Sequence, residues 1–206
     1  MDKKAEAEKS AEMRTAELLK DAREHHVPVM MDSGMAFLLA FLKEHTEIRD
    51  ILECGTAVGY SAIRMASVRW DMRVDTLEID PDMFAQARAN IEAQGLSDRI
   101  HVWQTDAAQF ETDRIYDLIF VDAAKSQYRR YQEHFMKNTR PGTWFVFDNL
   151  NFHGIVDHPD LSSNRSTIQM TAKIRKFREH LLQDPRFETV FYPDIGDGIA
   201  IAQRIL

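Results

Sequence analysis

From residue 50 onward, short runs of β-branched and aromatic residues alternate with stretches in which apolar residues recur at helical spacing. Strands that alternate with helices form a parallel sheet with helices on both faces, so the alternation predicts an α/β fold. The helices predicted between strands include Tyr60–Val68 and Pro81–Gln94, the second with Asp80 as its N-cap. The predicted strands are Asp50–Cys54, Val74–Ile79, Ile100–Gln104, Tyr116–Val121 and Thr143–Phe147.

The C-terminal part of the sequence breaks this alternation. A long helix is predicted near Ser166–Gln183, and it is followed by two strands, Phe187–Tyr192 and Ile199–Ile205. The turn Pro193–Gly198 joins these strands, so they form an antiparallel hairpin that closes one edge of the sheet.

The N-terminal part is rich in charges of both signs. Residues 2–25 are predicted to form one or two amphipathic helices that end before Val27, because Pro28 disfavours helix in the preceding residue. A further helix is predicted over Ser33–Glu44. We therefore predict a helical appendage at residues 1–26 and one domain at residues 27–206, as expected for a chain of 206 residues.

Bulk properties restrict the location and the partners of the protein. The single Cys54 cannot form an internal disulfide, which is typical of a reducing cytoplasm. The sequence has no apolar run long enough to span a membrane and no signal-peptide pattern at its start, so we expect a cytoplasmic protein without membrane contact. The net charge of −7 gives no general support for nucleic-acid binding, although it permits a local basic patch.

The first predicted strand leads through a glycine turn, at Gly55 and Gly59, into a helix. The spacing departs from the GxGxxG pattern that binds a pyrophosphate. S-adenosylmethionine has no phosphate, and instead needs carboxylates for its amino group, its ribose hydroxyls and its adenine amine. Glu53, Glu78 and Asp106 stand at the ends of three successive strands and could supply them. Each of these acids could otherwise be an ordinary strand-end residue.

Oxygen ligands follow the next two strands, namely Asp122 after one and Asp148 with Asn149 after the other. Because the carboxyl ends of parallel strands meet at one edge of a sheet, this set suits Mg²⁺ or Mn²⁺. Lys125 lies three residues after Asp122, where a neighbouring cation would disfavour its protonated form and allow it to act as a general base. The alternatives are a helix cap at Asp122, an Asx turn at Asp148 and a solvated lysine.

With these residues identified, residues 27–205 resemble the cation-dependent O-methyltransferases, which include catechol and caffeoyl-CoA O-methyltransferases. Within that family the chain most resembles the bacterial tRNA 5-hydroxyuridine methyltransferases. The motifs that carry the resemblance are LECGTAVGYSAIRMA, TLEID, the TDA of residues 105–107, FVDAAKSQY, FDNLNFHG and GDGIAIAQ.

The resemblance implies a Rossmann-like class I methyltransferase fold, with a seven-stranded sheet whose last strand is reversed, and a homodimer. It places Lys125 at the position of the family's base and the metal ligands at Asp122, Asp148 and Asn149. Two departures stand out: Ala124 replaces the aromatic residue that catechol-methylating members have, and Ala57 replaces an aromatic residue found against the cofactor in some relatives. The implied cofactor contacts are Met30, Glu53, Gly55, Ser61, Glu78, Asp106, Ala107 and Asp122.

The residues predict the reaction more closely than they predict the acceptor. A 5-hydroxyuracil of a tRNA anticodon and a small catechol both present a ring hydroxyl beside a second oxygen. Two locally basic stretches, residues 125–140 and 165–178, could bind RNA phosphates or could be solvated helix faces. Tyr128, Phe152 and His153 are candidates to stack on a splayed base. A non-catalytic cofactor-binding protein is the third hypothesis.

Overall fold

The computed structural model describes residues 3–206, and the side chains from Lys9 onward. Met1 and Asp2, where the predicted appendage begins, lie outside the described residues. Short 3-10 helices occupy Lys125–Gln127, Met136–Asn138 and Pro159–Leu161. The α-helices of the described chain are α1 (Lys3–Glu24), α2 (Asp32–Glu44), α3 (Tyr60–Ala66), α4 (Pro81–Ala93), α5 (Tyr128–Phe135) and α6 (Arg165–Gln183).

The strands of the described chain are β1 (Asp50–Cys54), β2 (Arg73–Glu78), β3 (Ile100–Gln104), β4 (Leu118–Val121), β5 (Trp144–Phe147), β6 (Phe187–Tyr192) and β7 (Ile199–Arg204). They form one seven-stranded sheet with the order β3-β2-β1-β4-β5-β7-β6. Neighbours from β3 to β5 pair in parallel, whereas β7 is antiparallel to both β5 and β6. The predicted fold, including the reversed last strand, is therefore confirmed.

Each face of the sheet is covered by its own apolar cluster. Helices α1 to α4 contribute to one cluster and α5 with α6 to the other. The central strands β1 and β4 are buried almost throughout because both of their faces are covered. Successive residues of β1 therefore belong to opposite clusters, as Ile51 and Leu52 do.

The predicted element bounds agree with the structure to within about two residues, and β1, β3 and β6 match throughout. The cap of α4 is also as predicted, since Asp80 Oδ1 accepts hydrogen bonds from the backbone N–H groups of Asp82 and Met83. Helix α5 is an addition that the strand and helix patterns did not single out.

Helix α1 is tied to the rest of the chain. Ala22 is buried in the first core cluster, and Arg23 forms an ion pair with Asp32 at the start of α2 (2.5 Å). The division of the chain at residue 26 stays a prediction. Within residues 3–206, none of the helices combines the length and the apolar character that crossing a bilayer requires.

Candidate active site

A cavity of about 370 Å³ opens at the carboxyl ends of the parallel strands, where ligands of open α/β sheets collect. The residues predicted from the sequence contribute much of its wall, and Pro28 and Val29 of the α1–α2 connection add to it. The predicted residues that line the cavity are Met30, Gly55, Ser61, Glu78, Asp106, Ala107, Asp122 and Lys125.

The glycine turn after β1 brings its backbone against the site. Gly55 has φ +96°, and a Cβ there would overlap the carbonyl oxygen of Asp122, so no side chain can be placed at this position without moving the backbone that follows β4. Ala57 also has a positive φ (46°), and its N–H donates to Glu78 Oε2 at 2.8 Å. The other oxygen of Glu78 accepts from the backbone N–H of Asp80 at 2.9 Å. The turn therefore fixes the Glu78 carboxylate at the cavity wall.

Glu53 lies beneath the cavity and is fully buried. Ser61 Oγ and Thr76 Oγ1 each donate a hydrogen bond of 2.5 Å to it, one to each carboxylate oxygen. Burial raises the pKa of Glu53 to about 8, and the nearby carboxylates of Asp122 and Glu78 act in the same direction. A cationic group placed beside Glu53 would favour its ionised form.

Asp106 stands at the far side of the cavity, just beyond β3. Its Oδ1 accepts from the backbone N–H of Ala108 at 2.9 Å, which orients the carboxylate towards the cavity that it lines. Ala107 is nearly buried beside it. The three carboxylates that the sequence predicts for the cofactor thus lie around one cavity, with Glu53 below the surface that Glu78 and Asp106 help to form.

The predicted metal ligands meet where β4 and β5 end. Asn149 Nδ2 donates to Asp122 Oδ1 at 3.2 Å, and Lys125 Nζ lies 3.5 Å from the same oxygen. Asp148 is 2% exposed, and its Oδ1 accepts from the Asn149 N–H at 2.8 Å. Asp148 and Asn149 do not line the cavity of Asp122, and adjoin it from the side of β5.

Two carboxylates in this position repel each other. Burial raises the pKa of Asp148 to about 7, and the charge of Asp122 contributes to the rise while that of Lys125 opposes it. A divalent cation would offset both the burial and the repulsion, and two carboxylates with one amide oxygen are hard ligands of the kind that Mg²⁺ prefers. The residues present therefore fit such an ion.

The structure corrects one predicted contact. Tyr128 is 1% exposed, and its hydroxyl donates to the backbone carbonyl of Asp148 at 2.8 Å. Its ring packs against Phe147 and Phe177, so it cannot stack on a ligand base. Tyr128 instead supports the backbone beneath the candidate metal ligands.

Sequence reasoning missed several residues of the site. Thr76 reaches Glu53 from β2, and its spacing of two residues from Glu78 could have placed both side chains on the same face of that strand. Tyr131 lines the cavity from α5, which was not predicted as a helix. Ile79 was taken as the end of β2, but it lies beyond the strand, lines the cavity and is 67% exposed.

The two basic stretches differ in their partners. Lys137 pairs with Glu111, and Arg140 pairs with Asp117 (2.7 Å), so much of the first stretch is neutralised locally. In the second, Arg178 pairs with Asp157. The other basic side chains of the second stretch are exposed on α6. Among the described residues, no carboxylate lies within 4.0 Å of their charged groups. These side chains are Arg165, Lys173, Arg175 and Lys176.

A second cluster of possible metal ligands lies away from the cavity. Side-chain atoms of Glu133, His180 and Asp184 come within 4.8 Å of one another. The guanidinium of Arg186 already binds both acids, at 2.7 Å from Glu133 and 2.6 Å from Asp184. This cluster is an ion-pair network that joins α5, α6 and β6.

Residues 4–205 match the model of the O-methyltransferase family. A catechol O-methyltransferase of Niastella koreensis is 31% identical over 175 residues, covering 80% of this chain and 77% of that protein. A caffeoyl-CoA O-methyltransferase of Stellaria longipes is 27% identical, with 92% and 82% covered. Among solved structures, a Bacillus cereus O-methyltransferase in complex with S-adenosylhomocysteine has a TM-score of 0.77 at 29% identity, with 93% and 90% covered. A candidate caffeoyl-CoA O-methyltransferase of Staphylococcus aureus reaches 0.87 at 27% identity, with 92% and 91% covered.

Proposed function

The chain belongs to the O-methyltransferase family and is an S-adenosylmethionine-dependent enzyme, and we propose that it methylates a ring hydroxyl with the help of a bound divalent metal. The observation that carries this proposal is the group of Asp122, Asp148, Asn149 and Lys125 at the ends of β4 and β5. A protein that only bound the cofactor would not need this group, and the third hypothesis from the sequence is not supported.

The cofactor roles follow from the chemistry of the cavity. Glu53 receives the amino group of the methionine part, because it is the buried acid that a cation would ionise. Glu78 receives the ribose hydroxyls, since its carboxylate is fixed by two backbone N–H groups. Asp106 faces the adenine amine, with Ala107 beside it. Met30, Gly55 and Ser61 complete the wall.

If Glu53 must lose its proton to bind the amino group, cofactor affinity will depend on pH. A carboxyl with a pKa near 8 in the free protein is protonated at pH 6. We therefore expect the Kd for S-adenosylhomocysteine to fall as pH rises from 6 to 8, by up to about tenfold per pH unit, and to level off above 8. Titration calorimetry in buffers of different ionisation enthalpy measures both the affinity and the released proton.

Glu53→Gln is the matched control for this pH dependence. It keeps the shape and one acceptor for Ser61 or Thr76, but it cannot ionise. We expect weaker binding that no longer changes between pH 6 and 8. Binding by the unmodified protein that is independent of pH and releases no proton would contradict the role given to Glu53.

The metal would be held by Asp122, Asp148 and Asn149, with Mg²⁺ favoured and Mn²⁺ an alternative of similar ligand preference. When bound, the ion supplies a positive charge that makes an acceptor hydroxyl more acidic and holds it in place. Asn149 would turn its amide so that the oxygen rather than the nitrogen faces the ion.

Lys125 then accepts the proton of the acceptor hydroxyl. The hydroxyl oxygen attacks the methyl carbon of the sulfonium in line, the carbon–sulfur bond breaks towards sulfur, and S-adenosylhomocysteine is released. Most of the acceleration comes from holding the two substrates in this geometry and excluding water. Asp122 lines the cofactor cavity and contacts both Asn149 and Lys125, so it links the two halves of the site.

We propose 5-hydroxyuridine at the tRNA wobble position as the acceptor, with 5-methoxyuridine as the product. The support is the resemblance of the motifs and the row of exposed basic residues on α6, which packs against Lys125–Gln127. Arg165, Lys173 and Lys176 share one face of that helix by their spacing. The alternative is a small catechol or phenol, which the names of the relatives favour. A tRNA acceptor would place the enzyme in the cytoplasm, and the homodimer stays a prediction.

Incubation with labelled S-adenosylmethionine and Mg²⁺ tests the acceptor, with tRNA that carries 5-hydroxyuridine in one reaction and a catechol in another. We expect label in RNA that digests to 5-methoxyuridine, and a rate at low RNA concentration that falls steeply with added salt. Transfer to the catechol alone would support the alternative.

Charge-reversal variants on α6 separate RNA binding from chemistry. Lys173→Glu with Lys176→Glu should raise the KM for tRNA about tenfold or more and flatten the salt dependence, because each phosphate contact contributes to the slope. Lys43→Glu on α2 is the matched control, since it reverses an exposed charge on a helix of the opposite face. If the KM for tRNA rose equally in the α6 variant and in the Lys43→Glu control, a specific RNA surface on α6 would be contradicted.

A further inference from the structure

The loop that leaves the candidate metal ligands has an unusual backbone. Asn149, Phe152 and His153 have φ of 62°, 46° and 56°, and Gly154 follows with 81°. Left-handed backbone at non-glycine residues is costly and persists where the surroundings impose it. The structure around this loop must therefore hold it in place.

The turn between β6 and β7 imposes this backbone. The N–H groups of Leu150 and Asn151 donate to the carbonyls of Gly198 and Asp197, both at 2.8 Å. A Cβ at Gly198 would come within 2.7 Å of the Asn151 side chain. The loop and the turn therefore form one rigid unit, although more than 40 residues separate them in the sequence.

Asp197 connects that unit to an exposed side chain. Its carboxylate is 7% exposed, and Oδ1 accepts from the backbone N–H of His153 at 2.7 Å. Its other oxygen, Oδ2, is buried and has no hydrogen-bond partner among the described residues. Nδ1 of His153 lies 3.7 Å from this oxygen, within reach of an ion pair but beyond a hydrogen bond. The His153 imidazole is itself 75% exposed.

The same unit lies beside the candidate metal ligands. A Cβ on Gly196, the neighbour of Asp197, would come within 3.5 Å of Asp148 Oδ1. The N–H of Gly196 donates to Ser33 Oγ at the start of α2. Helix α2 begins two residues after Met30, which lines the cavity. His153 is therefore held on the loop that leaves the candidate metal ligands, outside the wall of the cavity that Glu78 and Asp106 line.

We propose that His153, oriented by Asp197, recognises the ring N–H of a uracil-type acceptor and so distinguishes it from a catechol. This inference rests on the proposed function. With Nδ1–H directed at Asp197, a neutral imidazole presents Nε2 as a hydrogen-bond acceptor. Asp197 is a positioning residue, and His153 touches the acceptor.

The chemistry of the two acceptors gives the distinction. In 5-hydroxyuracil the reacting hydroxyl and the C4 carbonyl oxygen lie side by side, and the N3–H donor follows next on the same ring edge. We place the two oxygens at Asp122 and Asn149 and the N3–H towards His153, which follows Asn149 by four residues on the same loop. A catechol has carbon at the corresponding ring position and offers no donor. A site with a group that accepts a hydrogen bond from a ring N–H therefore favours the uracil over the catechol.

The test compares two anticodon stem-loop RNAs, one with 5-hydroxyuridine and one with N3-methyl-5-hydroxyuridine, in the presence of Mg²⁺ and S-adenosylmethionine. For the unmodified enzyme we expect kcat/KM to fall roughly tenfold on N3 methylation, the usual net value of one hydrogen bond. For the His153→Ala enzyme, kcat/KM on the first RNA should be about tenfold lower than for the unmodified enzyme, and N3 methylation should lower it little further. For the Asp197→Asn enzyme, we expect a smaller fall in kcat/KM on the first RNA and the same reduced sensitivity to N3 methylation.

His153→Asn separates recognition from loop structure, because asparagine tolerates left-handed backbone and its amide oxygen can accept an N–H. We expect it to retain part of the discrimination that His153→Ala loses, while the Kd for S-adenosylhomocysteine and the Tm stay near those of the unmodified enzyme. If the His153→Ala enzyme still discriminated against the N3-methylated RNA as the unmodified enzyme does, the inference would be overturned. An unmodified enzyme that methylates a catechol but neither RNA would instead overturn the proposed acceptor, and this recognition with it.

Discussion

Asp148→Asn is expected to lower kcat/KM for methyl transfer by about three orders of magnitude, equivalent to about 4 kcal/mol. The change removes one of two carboxylates that would hold the metal and leaves an amide of the same shape in a site that is 2% exposed. Because Asp148 does not line the cofactor cavity, the Kd for S-adenosylhomocysteine should stay within about twofold. Mg²⁺ titration of the rate, with binding calorimetry beside it, measures both effects.

The stability of this variant gives an internal control. The metal-free Asp148 carboxyl is buried beside Asp122, and its raised pKa means that ionisation costs folding free energy at neutral pH. Asp148→Asn should therefore not lower the Tm of the metal-free protein. Asp71→Asn, which changes an acid paired with Arg69 at the other end of the sheet, should leave the Mg²⁺ dependence unchanged. Methylation by Asp148→Asn at full rate in the presence of a chelator would exclude the metal from the mechanism.

The fold could be predicted because its signals are local. A buried strand such as β4 is a short apolar run, and the cap at Asp80 with Pro81 marks the start of α4 without reference to the rest of the chain. Helix α5 was missed because its buried face includes Gln132, a polar side chain that hides the helical pattern of Tyr128, Tyr131 and Phe135.

The site residues could be placed for a topological reason. Asp122 and Asp148 each follow a parallel strand, and neighbouring parallel strands end at the same edge of the sheet, so the sequence order predicts their proximity. The contact of Asn149 with Asp122 agrees with that expectation. Their roles as ligands and the roles of the cofactor residues stay predictions.

The contacts that hold the site residues in place could not be predicted in the same way. The hydrogen bond between His153 and Asp197 joins residues 44 positions apart, and nothing in either local sequence indicates the partner. The burial of Tyr128 depends on Phe147 and Phe177, which reach it from different elements. Such contacts depend on how the hairpin and α6 pack on the sheet, and single-sequence patterns do not contain that information.

Lys125→Met should lower kcat by about 10²- to 10⁴-fold, the range for removal of a general base. Methionine keeps the length and the apolar stem of the side chain but cannot accept a proton. The loss should be smaller for acceptors with more acidic hydroxyls, because these need less help to ionise, and a series of ring-substituted acceptors measures that slope. Lys137→Met, at a lysine paired with Glu111 outside the cavity wall, is the matched control and should keep the unmodified rate. A uniform loss across the acceptor series would indicate that Lys125 positions the substrates, since positioning does not depend on the acidity of the hydroxyl.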